Sequence, residues 1–411
     1  QTAPKKVEDL GVLLFDADND GDNDLYIAGG GYEAASGSNS YRDRFYLNDG
    51  KGNFLPDTTA FPVNLISKSC VRAADYDNDG DLDLLIAGRV DPGNYPKAVS
   101  SIIYRNDSKK DRVKFTDVTG SVAKNLLNLG MVCDALFTDF DNDGRIDIIL
   151  AVEWQSLKFL KNKQGAFEDV TDASGLQGQT GWWNSLAAGD FDNDGDMDYI
   201  AGNLGTNSFY QASEKYPVKI TANDFDKNGN YDALISVFLP ESAEKRARKE
   251  YSAHLRDDFI SQLTPARKQF PDYKTFAYAT LDELIANFDQ NNILRMQAVN
   301  LKSAFIRNDG NSKFTLLPLP EQAQFSIING MAVEDFDGDG NLDVVVNAND
   351  YGTDISIGRY DAMNGLLLQG DGKGNFTPRA ILESGIYIPG NGKALAMVQS
   401  SGNKCLLAAS Q

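Results

Sequence analysis

Apolar runs of a few residues recur along this chain, each bounded by polar or glycine-rich stretches, and the runs come in pairs. Val12–Phe15, Val71–Ala74 and Ala135–Thr138 each stop at an aspartate, and after an acidic stretch Leu25–Ala28, Leu82–Ala87 and Ile146–Val152 take over. Runs this short, rich in Val, Ile, Leu and aromatic residues, predict strands rather than helices. A hairpin pattern follows. It is clearest in Phe45-Tyr46-Leu47-Asn48-Asp49-Gly50-Lys51-Gly52-Asn53-Phe54, with counterparts over Ile103–Phe115, Phe159–Phe167, Phe305–Phe314 and Leu366–Phe376. Each unit of roughly 50–65 residues therefore reads as four strands, A to D, and the chain as a repeat architecture. The hairpin recurrence also disposes of a tempting motif. Gly370-Asp371-Gly372-Lys373-Gly374 resembles a phosphate-cradling loop, but its twin at Asp49–Asn53 marks it as a turn.

The stretch between strands A and B repeats most strictly. Six copies run from Asp16 to Asp24, Asp75 to Asp83, Asp139 to Asp147, Asp190 to Asp198, Asp224 to Asp232 and Asp335 to Asp343, with glycine at position 6. Position 3 is Asp18, Asp77, Asp141, Asp192, Asp226 or Asp337, and position 5 is Asp20, Asp79, Asp143, Asp194, Asn228 or Asp339. Position 7 is Asp22, Asp81, Arg145, Asp196, Asn230 or Asn341; it ligates through its backbone carbonyl in loops of this kind, so Arg145 is tolerated. Oxygen donors at positions 1, 3, 5, 7 and 9 around a tight glycine turn let one short loop wrap a hard cation, and calcium is the expected cofactor. An EF-hand would need a bidentate Glu at position 12 and flanking helices, but position 12 is Ile27, Ile86, Leu150, Ala201, Ile235 or Val346 inside a β-like run. A metal-free acidic turn is disfavoured because crowded carboxylates repel one another. A faint seventh copy places Met397, Gln399, Ser401 and Cys405 at ligand positions around Gly402, a repeat expected to keep its strands without a metal.

Four-stranded units in series predict an all-β fold, a β-propeller. The phrase Phe-Asp-x-Asp-Gly-x-x-Asp before a β-run, alternating with Asn-Asp-Gly-x-Gly-x-Phe, resembles the FG-GAP or VCBS repeats of integrin α-subunit heads and of the long VCBS-repeat proteins of Bacteroidetes-type bacteria. The resemblance spans nearly the whole chain and implies a calcium-binding propeller that serves as a binding platform. Seven loop starts predict seven blades. The short interval from Asp190 to Asp224 keeps six open, with the Asp224 loop in an extra hairpin. The 411 residues read as a single propeller domain carrying a helical insertion over 241–300, with helices at Ala243–Leu263 and Tyr278–Phe288. A start at strand A and an end after strand B suggest part of a longer protein.

Charge changes this picture less than its size suggests. Of the 59 acidic residues behind the net charge of −20, 26 lie in the six loops, and the remainder of the chain is mildly basic. The acidity reports metal sites, and nucleic acid is not an expected partner. Cys70, Cys133 and Cys405 are too few for a disulfide framework, although one Cys70–Cys133 bridge between neighbouring repeats is conceivable. No apolar run is long enough for a transmembrane segment, and Gln1–Lys6 is no signal peptide. Weak extracellular-type calcium loops would stay empty at cytosolic calcium levels, which points to an extracellular, periplasmic or cell-surface location.

Strand direction puts the long insertions, Gly29–Arg44, Arg89–Ser100, 241–300 and Asn349–Gly365, on the face opposite the loops. The helical insertion reads either as a surface pair or as a cap over the central channel. Trp154, Trp182 and Trp183 fall on the same face, where an aromatic platform flanked by Arg72, Arg89, Glu153, Asn184 and Asn203 would suit a glycan or a protein side chain; blade-edge packing is the plainer reading. The single histidine, His254, leaves no multi-histidine zinc site, and no constellation commits to catalysis. A glycan- or protein-binding module is the first expectation. A structural or assembly domain of a longer surface protein and a polysaccharide lyase-like enzyme are the alternatives.

Overall fold

The computed structural model describes residues 8–109, 112–242, 245–400 and 403–410. Five antiparallel sheets carry their strands in A-B-C-D order. The first is Glu8–Phe15, Asp24–Gly30, Arg44–Asn48 and Phe54–Pro56. The second is Ser67–Ala74, Asp83–Val90, Ile102–Asn106 and Phe115–Asp117, and the third Met131–Thr138, Asp147–Gln155, Lys158–Asn162 and Phe167–Asp169, with a short fifth strand, Gly181–Trp182, paired to the far end of Asp147–Gln155. The fourth is Ser185–Gly189, Asp198–Gly202, Ala304–Asn308 and Phe314–Pro318, and the fifth Ile328–Glu334, Asp343–Ala348, Leu366–Gly370 and Phe376–Arg379. A two-stranded hairpin, Gly392–Ser400 with Asn403–Ser410, follows. The A strands touch in sequence from the first sheet to this hairpin, the face-to-face stacking of propeller blades.

The B strands explain why the sheets stack. Leu84, Leu85, Ile86 and Ala87 are all fully buried, as are Val344, Val345 and Val346, so both faces of these central strands are covered. One core joins the first two sheets through Tyr26, Phe45, Val71 and Ile86, and others follow between the second and third, third and fourth, and fourth and fifth. The outward face of the first sheet is largely open, with Val12 and Leu14 63% and 56% exposed against 1% for Val71 at the equivalent place in the second.

Counting loops does not count successive sheets. Tyr199, Ile200 and Ala201 pair with Ile306, Phe305 and Ala304, so the fourth sheet closes its B–C pairing across an insertion of about a hundred residues. That insertion holds its own four-stranded sheet, Val218–Asn223, Asp232–Pro240, Arg248–Ser252 and Leu294–Ala298, and the Asp224 loop belongs to it. The inserted sheet docks through Val218, Ile220, Val237 and Ala298 against Val90, Met131 and Trp154 of the second and third sheets. The predicted helix at 243–263 is corrected: residues 243 and 244 lie outside the described residues, Arg248–Ser252 is a strand paired with Ser236–Pro240, and the helix is Arg256–Gln262. Strand pairing overrides the helix propensity of its Glu, Lys and Arg residues. The second expected helix, Tyr278–Phe288, is the shorter Leu281–Ile285, started by a Thr280–Glu283 capping box, and a separate helix, Tyr273–Tyr278, precedes it. The seventh loop is also corrected. Met397 and Gln399 lie in one strand of the last hairpin and Cys405 in the other, with Val398 opposite Cys405, while Ser401 and Gly402 lie outside the described residues. All three cysteines are free.

A buried asparagine ties the second, third and fourth sheets each to the one before it. Asn162 Nδ2, at the end of strand C, donates to the Ile146 carbonyl of its own loop at 2.9 Å and to the Tyr76 carbonyl of the preceding loop at 2.7 Å. Asn106 does the same with Leu82 and Ala17, and Asn308 with Met197 and Phe140. Asn48, in the first sheet, bonds only Asn23 of its own loop. Asn162→Ala strands two carbonyls and is expected to cost about 2–3 kcal/mol in denaturant unfolding, whereas Asn48→Ala should cost about 1 kcal/mol or less. Equal losses would show that the inter-sheet bond carries no weight.

Candidate metal centres

Backbone bonds to the first carboxylate hold each loop. Asp16 accepts the Asp20 N–H at 3.2 Å and the Gly21 N–H at 2.9 Å, and Asp75, Asp139, Asp190, Asp224 and Asp335 do the same with their own positions 5 and 6. The turn needs left-handed backbone twice. At position 4, Asn19, Asn78, Asn142, Asn193 and Lys227 have φ between 56° and 61°, which asparagine accepts more readily than lysine. At position 6 the glycines have φ between 81° and 97°; a Cβ on Gly21 would touch nothing within 4 Å, so conformation rather than space demands glycine.

The carboxylate at position 9 faces inward and joins loop to sheet. Asp198 Oδ1 accepts the Asn308 N–H of strand C at 2.7 Å, and its Oδ2 accepts the Phe191 N–H at 3.2 Å. Asp24, Asp147 and Asp343 repeat this bracket. Position 3 differs. Asp18, Asp77, Asp141, Asp192 and Asp226 each leave the same atom, Oδ1, buried with no hydrogen-bond partner. In the Asp16, Asp75, Asp139 and Asp224 loops, carboxylates 1, 3 and 9 bring oxygens within 4.8 Å of one another; in the Asp190 loop the set is Asp190, Asp192 and Asp194. An unpartnered buried carboxylate oxygen is costly. The same atom, orphaned in five loops amid other carboxylate oxygens, in groups that contain aspartate and no histidine or cysteine among the described residues, fits a hard oxygen-seeking cation such as calcium. Asp16 through Asp24 and their counterparts would hold it.

Burial, followed by the neighbouring carboxylates, raises Asp18, Asp77 and Asp192 above the usual carboxylate range. Burial likewise lifts Asp24 and Asp232 to about 6, and Asp83, Asp147 and Asp198 to about 7, against their backbone hydrogen bonds. The Asp139 loop is the exception in charge. Lys161 pairs with Asp141 and lies 3.1 Å from Asp143, and Arg145 also pairs with Asp143. Against the desolvation, these cations hold Asp143 below its ordinary range. Arg145 thus brings a counter-charge as well as a backbone carbonyl. The latch asparagines leave a signal in the sequence, since Asn48, Asn106, Asn162 and Asn308 recur at the end of every C strand of the stacked sheets but the fifth, whereas nothing local marks Lys161.

On the opposite face the expected aromatic platform is not displayed. Trp154 and Trp183 are buried, Trp183 inside the core between the third and fourth sheets, and half-buried Trp182 packs edge-on against Trp154 and Tyr210. Asn203 is fully buried and bonds the Trp182 and Leu204 N–H groups. Glu153 accepts from Arg89 and Tyr95, Arg72 pairs with Asp134 across sheets, and Asn184 bonds Ile328 and Asn329. These residues join sheets because large rings and paired charges at blade ends are drawn into the junctions. His254 Nε2 accepts the Ile235 N–H at 3.1 Å, a structural bond within the inserted sheet.

Stacked four-stranded sheets with A–B acidic loops define a propeller-type repeat protein. The FG-GAP-like repeat model matches residues 16–86 and 139–201, and the chain carries FG-GAP-like repeats. No curated protein matches it. Among solved structures it is similar to the one described as BBS1N in complex with ARL6DN, soaked with lead, at 12% identity and TM-score 0.36, covering 97% of this chain and 88% of that one. A likeness that slight informs neither fold nor function. Among the described residues no helix is long and apolar enough to cross a membrane.

Carboxyls raised to about 6 and 7, against about 3.9 in an unfolded chain, make the metal-free fold take up protons on folding. Their contribution to stability is therefore fully present below about pH 4 and lost as pH rises through about 7. In chelator the melting temperature should fall between about pH 5 and 8, and saturating calcium, which favours the ionised forms, should abolish or reverse that fall. A metal-free protein that grows steadily more stable across this window would contradict the assignment.

Proposed function

We propose that this chain is a calcium-stabilised, propeller-type binding module that works outside the cytoplasm and presents a glycan- or protein-binding surface on the face opposite its metal loops. The observation that carries the metal reading is the repeated orphan Oδ1 at position 3. The five stacked sheets, four of them four-stranded and the third five-stranded, and the final hairpin are read as six blades, with the inserted sheet as an attachment to the fourth. Bound calcium would neutralise the carboxylates that crowd the A–B turn, and the chain's own groups would do the rest: position 1 shapes the turn, position 9 bonds it to strand C, and the asparagine latch carries that order to the next sheet. Extracellular placement follows from affinity, since loops of this kind with dissociation constants of about 10⁻⁴–10⁻³ M fill only where calcium is abundant. The binding role is supported by the long B–C insertions, which leave one face rich in loops held by a stiff scaffold. His254, the single histidine of the sequence, accepts a backbone N–H from Ile235.

Thermal unfolding in calcium and in chelator tests this reading. Each occupied site should add about 2.7 kcal/mol at a hundredfold excess of calcium over its dissociation constant, so the chelated protein should melt markedly lower. Identical melting curves would remove calcium from the account.

A further inference from the structure

A cavity of about 480 Å³ opens beside the first sheet, between the B–C loop at 39–46 and the 56–64 segment that leads from strand D to the second sheet. By strand direction both segments lie on the face opposite the metal loops. The floor is aromatic. Tyr26 is buried there, and the half-buried ring of Phe61 lies 4.9 Å from it, edge to face.

Polar groups are set into this apolar floor in an unusual way. Asp43 is held by the fully buried Lys68, whose ammonium lies 2.9 Å from Asp43 Oδ1 and donates to the Asn64 carbonyl at 3.1 Å. An ion pair taken out of water is costly, yet it fixes a carboxylate in the cavity wall. Two neighbouring polar atoms are left over. The Tyr26 hydroxyl lies beside Asp43 and the Asn64 amide nitrogen beside the Tyr104 hydroxyl, but both are buried without a well-formed hydrogen bond. Arg42 stands exposed at the mouth.

A fixed carboxylate acceptor, an amide donor and a hydroxyl next to an aromatic ring match the hydroxyls and the apolar face of a sugar. The volume lies toward the small end of the roughly 300–1,000 Å³ range of small-molecule sites, room for one or two sugar rings and too little for a folded peptide. We propose that this cavity is a sugar-binding site that takes a single pyranose unit, with Asp43 and Asn64 reading its hydroxyls and Phe61 its ring face. This deepens the binding-module reading by naming the ligand class. It rests on the cavity and needs no property of the calcium loops.

The test uses the full chain in calcium, titrated by calorimetry and saturation-transfer NMR with glucose, galactose, N-acetylglucosamine and glucuronate, the last because of Arg42. Thr58 and Val63 line the mouth and are exposed, so Thr58→Trp and Val63→Trp plug it without entering the core. At least one sugar should bind saturably to the unaltered chain and weaken at least about tenfold in both variants, with calcium uptake unchanged on the same samples. No saturable binding of any of the four, or binding untouched by both plugs, overturns the proposal. Sugar binding that persists in a chain shown to take up no calcium would overturn the metal reading alone.

Discussion

Everything in this fold is arranged around carboxylates forced together at the tightest turn of each repeat. The A–B loop must bring two neighbouring strands back into register within a few residues, and it does so with aspartates whose backbone bonds shape the turn. Those same bonds crowd like charges into a partly buried space, where repulsion is poorly screened. The carboxyl at position 9 is the hinge of this conflict. It bonds strand C and the second loop residue at once, so the group that most resists ionisation also anchors the sheet. A cation within the loop would remove the conflict without altering a hydrogen bond.

The consequences pass outward through the asparagine latches. Because Asn106, Asn162 and Asn308 each bond their own loop and the loop before it, the order of one turn is coupled to its neighbour. Side chains at position 4 add a second tie on the same face, since Asn142 reaches Asp196 and Asn193 reaches Asn341 in the following sheets. The loops therefore form a connected surface. The third loop departs from the rest by carrying Arg145 and by meeting Lys161 of its own strand C, so part of its charge is neutralised by the chain itself.

Much of this was legible in the sequence because the features that specify it are local. Nine-residue loops fix their own glycine and ligand positions, and apolar runs of strand length sit beside them. What was not legible depended on distance. Nothing near Ala201 indicates that its strand pairs with Ala304, so the serial count of seven loops includes the Asp224 loop, and only the short interval from Asp190 points to the separate sheet in which it sits. The stretch at Arg248–Ser252 reads as helix from its own residues and becomes a strand only because Ser236–Pro240 lies beside it. Strand direction puts Trp154 and Trp183 at sheet ends away from the loops, but whether they are exposed depends on how neighbouring sheets close over them. The asparagine latch was visible as a recurring letter, and its role emerged only when the preceding loop proved to be within reach.

What sits beside the orphan oxygen at position 3 decides whether these loops hold a metal. Diffraction from crystals grown in calcium would answer this directly, with anomalous scattering to identify the ion. The account predicts a calcium peak bonded to Oδ1 of Asp18, Asp77 and Asp192, inside loops whose backbone matches the one described here. Loops that hold only water, or position-3 side chains turned out to solvent with the sheets otherwise intact, would contradict it.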